Sequence, residues 1–100
     1  MKDLIFFYGL ECPHCIVVEK FVDRLISEGV KIKKVETWHN KENEKIFENI
    51  DNGKVFIKSE DGKYCEDKCG GVPFMINQHT NKAICGETTY EELKAWAQEK

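Results

Sequence analysis

Two thiols, Cys12 and Cys15, stand two residues apart in the run Cys12-Pro13-His14-Cys15. A pair at this spacing can cycle between a dithiol and a disulfide. It lies between an apolar run, Leu4-Ile5-Phe6-Phe7-Tyr8, and a segment with helical periodicity. That junction predicts a buried strand feeding a helix, with Cys12 at the helix N-cap or one residue before it. The sulfur of Cys12 would be exposed and would face unpaired backbone N–H groups at the positive end of the helix dipole. Such donors can lower a cysteine pKa into a range of about 3.5–7.5. Cys15 lies one turn inside and is expected to be more buried, with a higher pKa. The asymmetry assigns roles: Cys12 attacks a substrate disulfide and Cys15 resolves the mixed disulfide. His14 would add positive charge near the thiolate when protonated. Pro13 lacks a donor but stiffens the first helical turn.

The competing chemistry is metal binding. Cys12 and Cys15 could form half of a zinc site, with Cys65-x-x-x-Cys69 as the other half, in a metal-binding or metallochaperone module. Zinc knuckles usually carry a glycine soon after their second cysteine, whereas Ile16-Val17-Val18 follow here and the chain turns helical, which favours redox chemistry. A redox-sensing interaction domain without turnover is a further alternative. Cys65, Cys69 and Cys85 leave several readings open. Cys65 and Cys69 would be a second redox pair if residues 65–69 form a helical turn or tight loop. Alternatively, Cys69 and Cys85 are small buried apolar residues. A third reading is a metal site on all three, with His79 as the only evident fourth ligand. Trp38-His39 reads as a surface loop, His79 as part of a turn, and Trp96 as core.

The elements that must position these groups are legible from periodicity. Residues 3–8 form a short apolar strand suited to the centre of a sheet. From Cys15 to about Glu28, Val18, Phe21, Val22, Leu25 and Ile26 recur at helical spacing, and Gly29 is a plausible terminator. Lys31 to Thr37 alternates as a second strand, and Lys41 to Ile50 is a polar helix with a solvated charged face. Residues 54–65 read as a small inserted hairpin turning at Asp61-Gly62. Gly70-Gly71-Val72-Pro73 breaks the chain before a strand at Phe74-Met75-Ile76-Asn77. A turn at 79–82 leads to Ala83-Ile84-Cys85, and Thr88-Thr89-Tyr90-Glu91 has capping-box spacing before a last helix. The order is β-α-β-α-(insertion)-β-β-α, with the first two strands parallel and the last two an antiparallel hairpin.

One hundred residues suffice for a single domain, 1–100, with one insertion at about 54–69 and no second substrate domain. A charged fraction of 33% beside 41% hydrophobic residues is ordinary globular composition. The net charge of −3, without a basic block, argues against nucleic acid as a partner. Met1-Lys2-Asp3 followed by five apolar residues is too short for a signal-peptide core or a membrane span. The expectation is a cytoplasmic monomer with no membrane partner. Its five cysteines are an odd number, so they cannot all pair internally.

These residues together resemble the thioredoxin superfamily over nearly the whole chain. The resemblance rests on the strand Leu4–Tyr8, the Cys12-Pro13-His14-Cys15 motif with its helix, Gly71-Val72-Pro73 opening the third strand, and Cys85-Gly86-Glu87 before the last helix. It implies a thioredoxin-like α/β fold with a four-stranded mixed sheet. It also implies thiol–disulfide oxidoreductase activity on protein or low-molecular-weight disulfides. By the same resemblance the Val72–Pro73 bond is cis, the Val72 backbone pairs with substrate, and Gly86 faces the same groove. No cofactor is implied beyond the redox-active disulfide, with glutathione as a candidate co-substrate. The partners implied are protein disulfides and a recycling reductase or low-molecular-weight thiol. Starting directly on the strand before the CxxC resembles glutaredoxins. Thioredoxin keeps a buried acidic residue in this strand, and Phe6 stands at the matching position. Glutaredoxins hold glutathione with a glycine pair and an acidic residue, which Cys85-Gly86-Glu87-Thr88 matches in part.

Overall fold

A computed structural model describes residues 3–59 and 61–99. Nine elements follow in chain order. Strand β1 is Leu4–Tyr8, helix α1 Pro13–Ser27, strand β2 Ile32–Glu36 and helix α2 Lys41–Ile50. The hairpin β3 (Val55–Lys58) and β4 (Tyr64–Asp67) comes next, then β5 (Phe74–Asn77), β6 (Lys82–Cys85) and helix α3 (Tyr90–Gln98). One mixed sheet has the order β2-β1-β5-β6-β3-β4.

The sheet corrects the expected fold class: it has six strands, not the four of the thioredoxin-like sheet expected from the sequence. The segment at 54–69 is not a separate appendage. Its first strand, β3, runs parallel to β6, pairing Phe56 with Lys82 and Ile57 with Ala83, and β4 pairs antiparallel to β3 on the outside. The physical reason is the edge that β6 would otherwise leave unpaired; β3 covers those backbone groups and buries Val55 beneath α2. The sequence does signal two of the other pairings. β1 and β2 are parallel, and β5 and β6 form an antiparallel hairpin. β5 also pairs antiparallel to β1, which places Phe7 opposite Phe74 at one end of the sheet.

Strand alternation divides the core into two layers. Leu4, Phe6, Met75 and Ile84 face α1 and α3, packing on Val18, Val22, Leu25, Leu93 and Trp96. Ile5, Phe7, Phe74 and Ile76 face the other way onto Phe47 of α2. The sheet is thus covered on both sides, which explains why β1 and β5 read as near-continuous apolar runs. Helix α1 ends where Gly29 takes φ +99°, a conformation that disfavours side chains, and the Val30 N–H returns to the Leu25 carbonyl. Helix α3 starts one residue later than the capping-box spacing suggests: Thr89, not Thr88, is the N-cap and accepts from the Glu92 N–H. Its other end is held by buried Asn77, whose amide donates to the Trp96 and Glu99 carbonyls. Among the described residues, no helix is long and apolar enough to cross a membrane.

Candidate functional site

The CxxC lies past the C-terminal end of β1. Cys12 is the N-cap of α1, with extended backbone (φ −72°, ψ 115°), and Pro13 occupies the first helical turn. The Cys12 sulfur accepts from the Cys15 N–H at 3.3 Å, and the Cys12 carbonyl accepts from the Ile16 N–H at 3.1 Å. A thiol here takes the place of the hydroxyl or carboxylate that usually caps a helix. Cys15 sits one turn in, and the Gly9 N–H points at its sulfur from 3.5 Å. Both residues are free thiols. Burial pushes the Cys15 thiol up to about 12, aided by its hydrogen bond to Cys12 and opposed by the Gly9 N–H. Cys15 therefore keeps its proton at neutral pH.

One expectation about Cys12 needs correction. The sequence places it on an exposed turn, but only 4% of its surface is exposed, although Glu11, Pro13 and His14 around it are open. The Cys12 sulfur faces the Val72 carbonyl oxygen at 3.9 Å. The chain segment leading into β5 therefore lies against the cysteine. The Val72–Pro73 peptide bond is cis, and the Gly86 N–H donates to the Pro73 carbonyl at 2.8 Å. Val72, Pro73 and Gly86 are thus assembled beside the CxxC, although they lie 60 or more residues along the chain from Cys12. A cleft of about 320 Å³ adjoins Val72 and is lined by Thr37, Trp38, Glu44, Phe47, Gly70 and Gly71. A second cleft, of about 450 Å³, lies at the other end of β1 around Leu4, Ile26 and Ile32, away from the thiols.

The second redox pair expected at Cys65 and Cys69 is not built. Cys65 lies in strand β4 rather than in a helical turn, and extended residues advance about 3.3 Å each, which carries its sulfur away from Cys69. Cys69 is instead bonded to Cys85, with Cα atoms 5.6 Å apart, and Cys65 is a free, exposed thiol. This bond also disposes of the reading in which Cys69 and Cys85 are plain apolar residues. Metal readings fare no better. Among the described residues no three His, Cys, Asp or Glu side chains converge as a ligand set, so Cys12, Cys15, Cys65 and Cys69 do not share a site. The disulfide also removes two thiolates from the set formed with Cys65 and His79.

Three further groups of contacts support the site; of their residues the sequence reading singled out His14, but not its partner Glu87, nor Glu36 or Asp51. His14 pairs through Nδ1 with the Glu87 carboxylate, tying the CxxC to the loop after β6. Glu36, at the end of β2, accepts from the N–H groups of His39, Leu10 and Trp38 at 2.7, 3.0 and 3.1 Å. Desolvation pushes its carboxyl upward, but these three donors outweigh that and hold it below the ordinary value. His39, read from the sequence as a plain loop residue, hydrogen-bonds Glu11 at 2.6 Å, and this carboxylate raises its pKa. The indole of Trp38 occupies the space over Gly9, where any Cβ would collide with it at 2.2 Å. Asp51 is the third group. It is only 1% exposed, and its two carboxylate oxygens accept from the Cys69 and Gly70 N–H groups, each at 2.6 Å. The sequence shows an Asp51-Asn52-Gly53 turn but gives no sign that Asp51 reaches a segment 18 residues on. No protein-family model, curated protein or solved structure matches the chain.

Proposed function

We propose that this chain is a thiol–disulfide oxidoreductase acting on protein or low-molecular-weight disulfides. The observation that carries the reading is the unequal treatment of two adjacent thiols. Cys12 receives a backbone N–H at a helix N-terminus, while Cys15 is buried and held protonated. The Cys12 thiolate attacks one sulfur of the substrate disulfide, and the other substrate sulfur leaves and takes up a proton. Cys15 then loses its proton and attacks the Cys12 sulfur, closing the Cys12–Cys15 disulfide and releasing the second substrate thiol. Two electrons pass from the dithiol to the substrate. A reductase or low-molecular-weight thiol regenerates the dithiol. The resemblance of Cys12–Cys15 and Gly71-Val72-Pro73 to the thioredoxin superfamily points the same way, and Val72, Pro73 and Gly86 form the proposed substrate groove. A monomer in the cytoplasm belongs to the same proposal.

A second reading, a redox-sensing domain without turnover, draws on the 4% exposure of Cys12. Incubating the Cys15→Ser protein with a disulfide-bonded peptide separates the two. An oxidoreductase accumulates a mixed disulfide at Cys12 and, as wild type supplied with excess dithiothreitol as electron source, reduces many equivalents of peptide faster than dithiothreitol alone. A sensor stops at one equivalent, and an inert Cys12 removes both readings.

A further inference from the structure

Cys12 is 4% exposed, and the segment from Cys69 to Pro73, which brings the Val72 carbonyl against it, is pinned at both ends. Its exit is fixed by the Gly86 N–H on the Pro73 carbonyl and by the pairing of Phe74 with Cys85. Its entrance is fixed twice: by the Asp51 carboxylate on the Cys69 and Gly70 N–H groups, and by the Cys69–Cys85 disulfide. Between these anchors lie Gly71, which has no side chain to pack, and Val72, whose carbonyl stands 3.9 Å from the Cys12 sulfur. The disulfide is not sealed in the core. Cys85 is exposed, Cys69 is half-buried, and Cys85 opens onto a cleft of about 550 Å³ lined by Lys58, Ser59, Asp61, Glu87 and Glu92. The charged and hydroxyl groups in this lining suit a small polar molecule that must bring a sulfur to Cys85.

We propose that Cys69–Cys85 is a second redox site, opened by a polar low-molecular-weight thiol, and that its state sets how far Cys12 is covered. The thiolate of the small molecule attacks the Cys85 sulfur, and Cys69 leaves as a thiolate and takes up a proton. A second thiol, on the same or another small molecule, attacks the sulfur now bonded to Cys85. The products are two protein thiols and the oxidised small molecule, with two electrons passed to the protein. The entrance of the covering segment then keeps only the Asp51 anchor, and Gly71–Val72 opens more often. The benefit to substrate attack rests on the exchange proposed for Cys12, but the covering itself does not.

Alkylation of Cys12 tests the covering directly. The full chain carrying Cys15→Ser is used, so that Cys12 cannot be lost to a CxxC disulfide. Dithiothreitol is the probe, bulky maleimide the label, and peptide-resolved mass spectrometry the readout. Cys69 and Cys85 should become labelled together while circular dichroism stays native. Cys12 should then react about tenfold faster, because a segment that opens locally has lost one of its anchors. Faster amide exchange at Gly71 and Val72 should accompany it. A folded Cys69→Ser/Cys85→Ser variant in the same background should show the same rate without reductant. A disulfide that resists until the protein unfolds, or an opened state with unchanged Cys12 alkylation, overturns the proposal. Faster alkylation without reduction of a peptide disulfide by wild type in either state leaves the covering standing and removes the exchange reading. Peptide reduction with unchanged alkylation does the reverse.

Discussion

Cys12 and Cys15 differ in what surrounds each sulfur, and that difference predicts their reactivity. With the Cys15 thiol pushed up to about 12, iodoacetamide at neutral to mildly alkaline pH should modify Cys12 and leave Cys15 unlabelled. Peptide mapping after brief alkylation checks this, and faster labelling of Cys15 would reverse the roles. The loop before the CxxC is tied to the end of β2 and the loop after it by Glu36 and His39, and these contacts respond to pH. The His39 pKa is raised above 6.5, so its bond to Glu11 contributes fully below that value and is lost as pH rises through the folded pKa. Glu36 is lowered from 4.5, so its contribution is present above that value and fades as pH falls through the folded pKa. The Trp38 indole resonance should therefore shift with a midpoint above 6.5, and that titration should disappear in His39→Gln. A midpoint at or below 6.5 would count against the Glu11 contact.

Asp51 links two elements that the sequence leaves unconnected, the end of α2 and the segment entering β5. Its carboxylate accepts two N–H groups in a buried place, and charge-assisted bonds of this kind are each worth about 1.5–3 kcal/mol. In Asp51→Asn one acceptor oxygen becomes an amide donor facing another donor. The expected loss is about 2–4 kcal/mol in denaturant unfolding, with faster amide exchange at Gly70 and Gly71. Unchanged stability would mean that water replaces the lost acceptor. The β3–β4 hairpin teaches a related point. Its turn was readable from Asp61-Gly62, because glycine there takes φ +85°. Its attachment to β6 was not readable, because a four-residue strand with one buried side chain, Val55, carries no mark of its neighbour.

Phe6 shows how the whole molecule weighs on the site's chemistry. It is fully buried in the layer beneath α1 and α3 and stacks on Tyr8 at 5.2 Å. Phe6→Asp would remove a large apolar side chain and bury a carboxylate, so it should cost about 3–5 kcal/mol or more. If the variant folds and the proposed exchange holds, the new carboxylate should speed resolution of mixed disulfides. Stopped-flow release of substrate thiol, measured with a denaturation curve, tests both. Equal or faster resolution in wild type removes the idea that a drier site slows Cys15.

What the sequence determined by itself was local. The CxxC between an apolar run and a 3.6-residue period set β1, α1 and the capping position of Cys12, because these depend on side chains within one turn or one strand. Val18, Val22 and Leu25, and Leu93 with Trp96, declared their buried faces for the same reason. Tertiary structure decided the pairings that no local pattern marks. It joined β3 to β6 and made six strands of an expected four. It bonded Cys69 to Cys85 rather than to its near neighbour Cys65, because an extended strand separates near neighbours while the sheet brings residues 16 apart within reach. It also covered Cys12 with Val72 and brought Asp51 to Gly70. Burial and pairing of this kind come from how layers stack, and residue spacing along the chain does not carry that information.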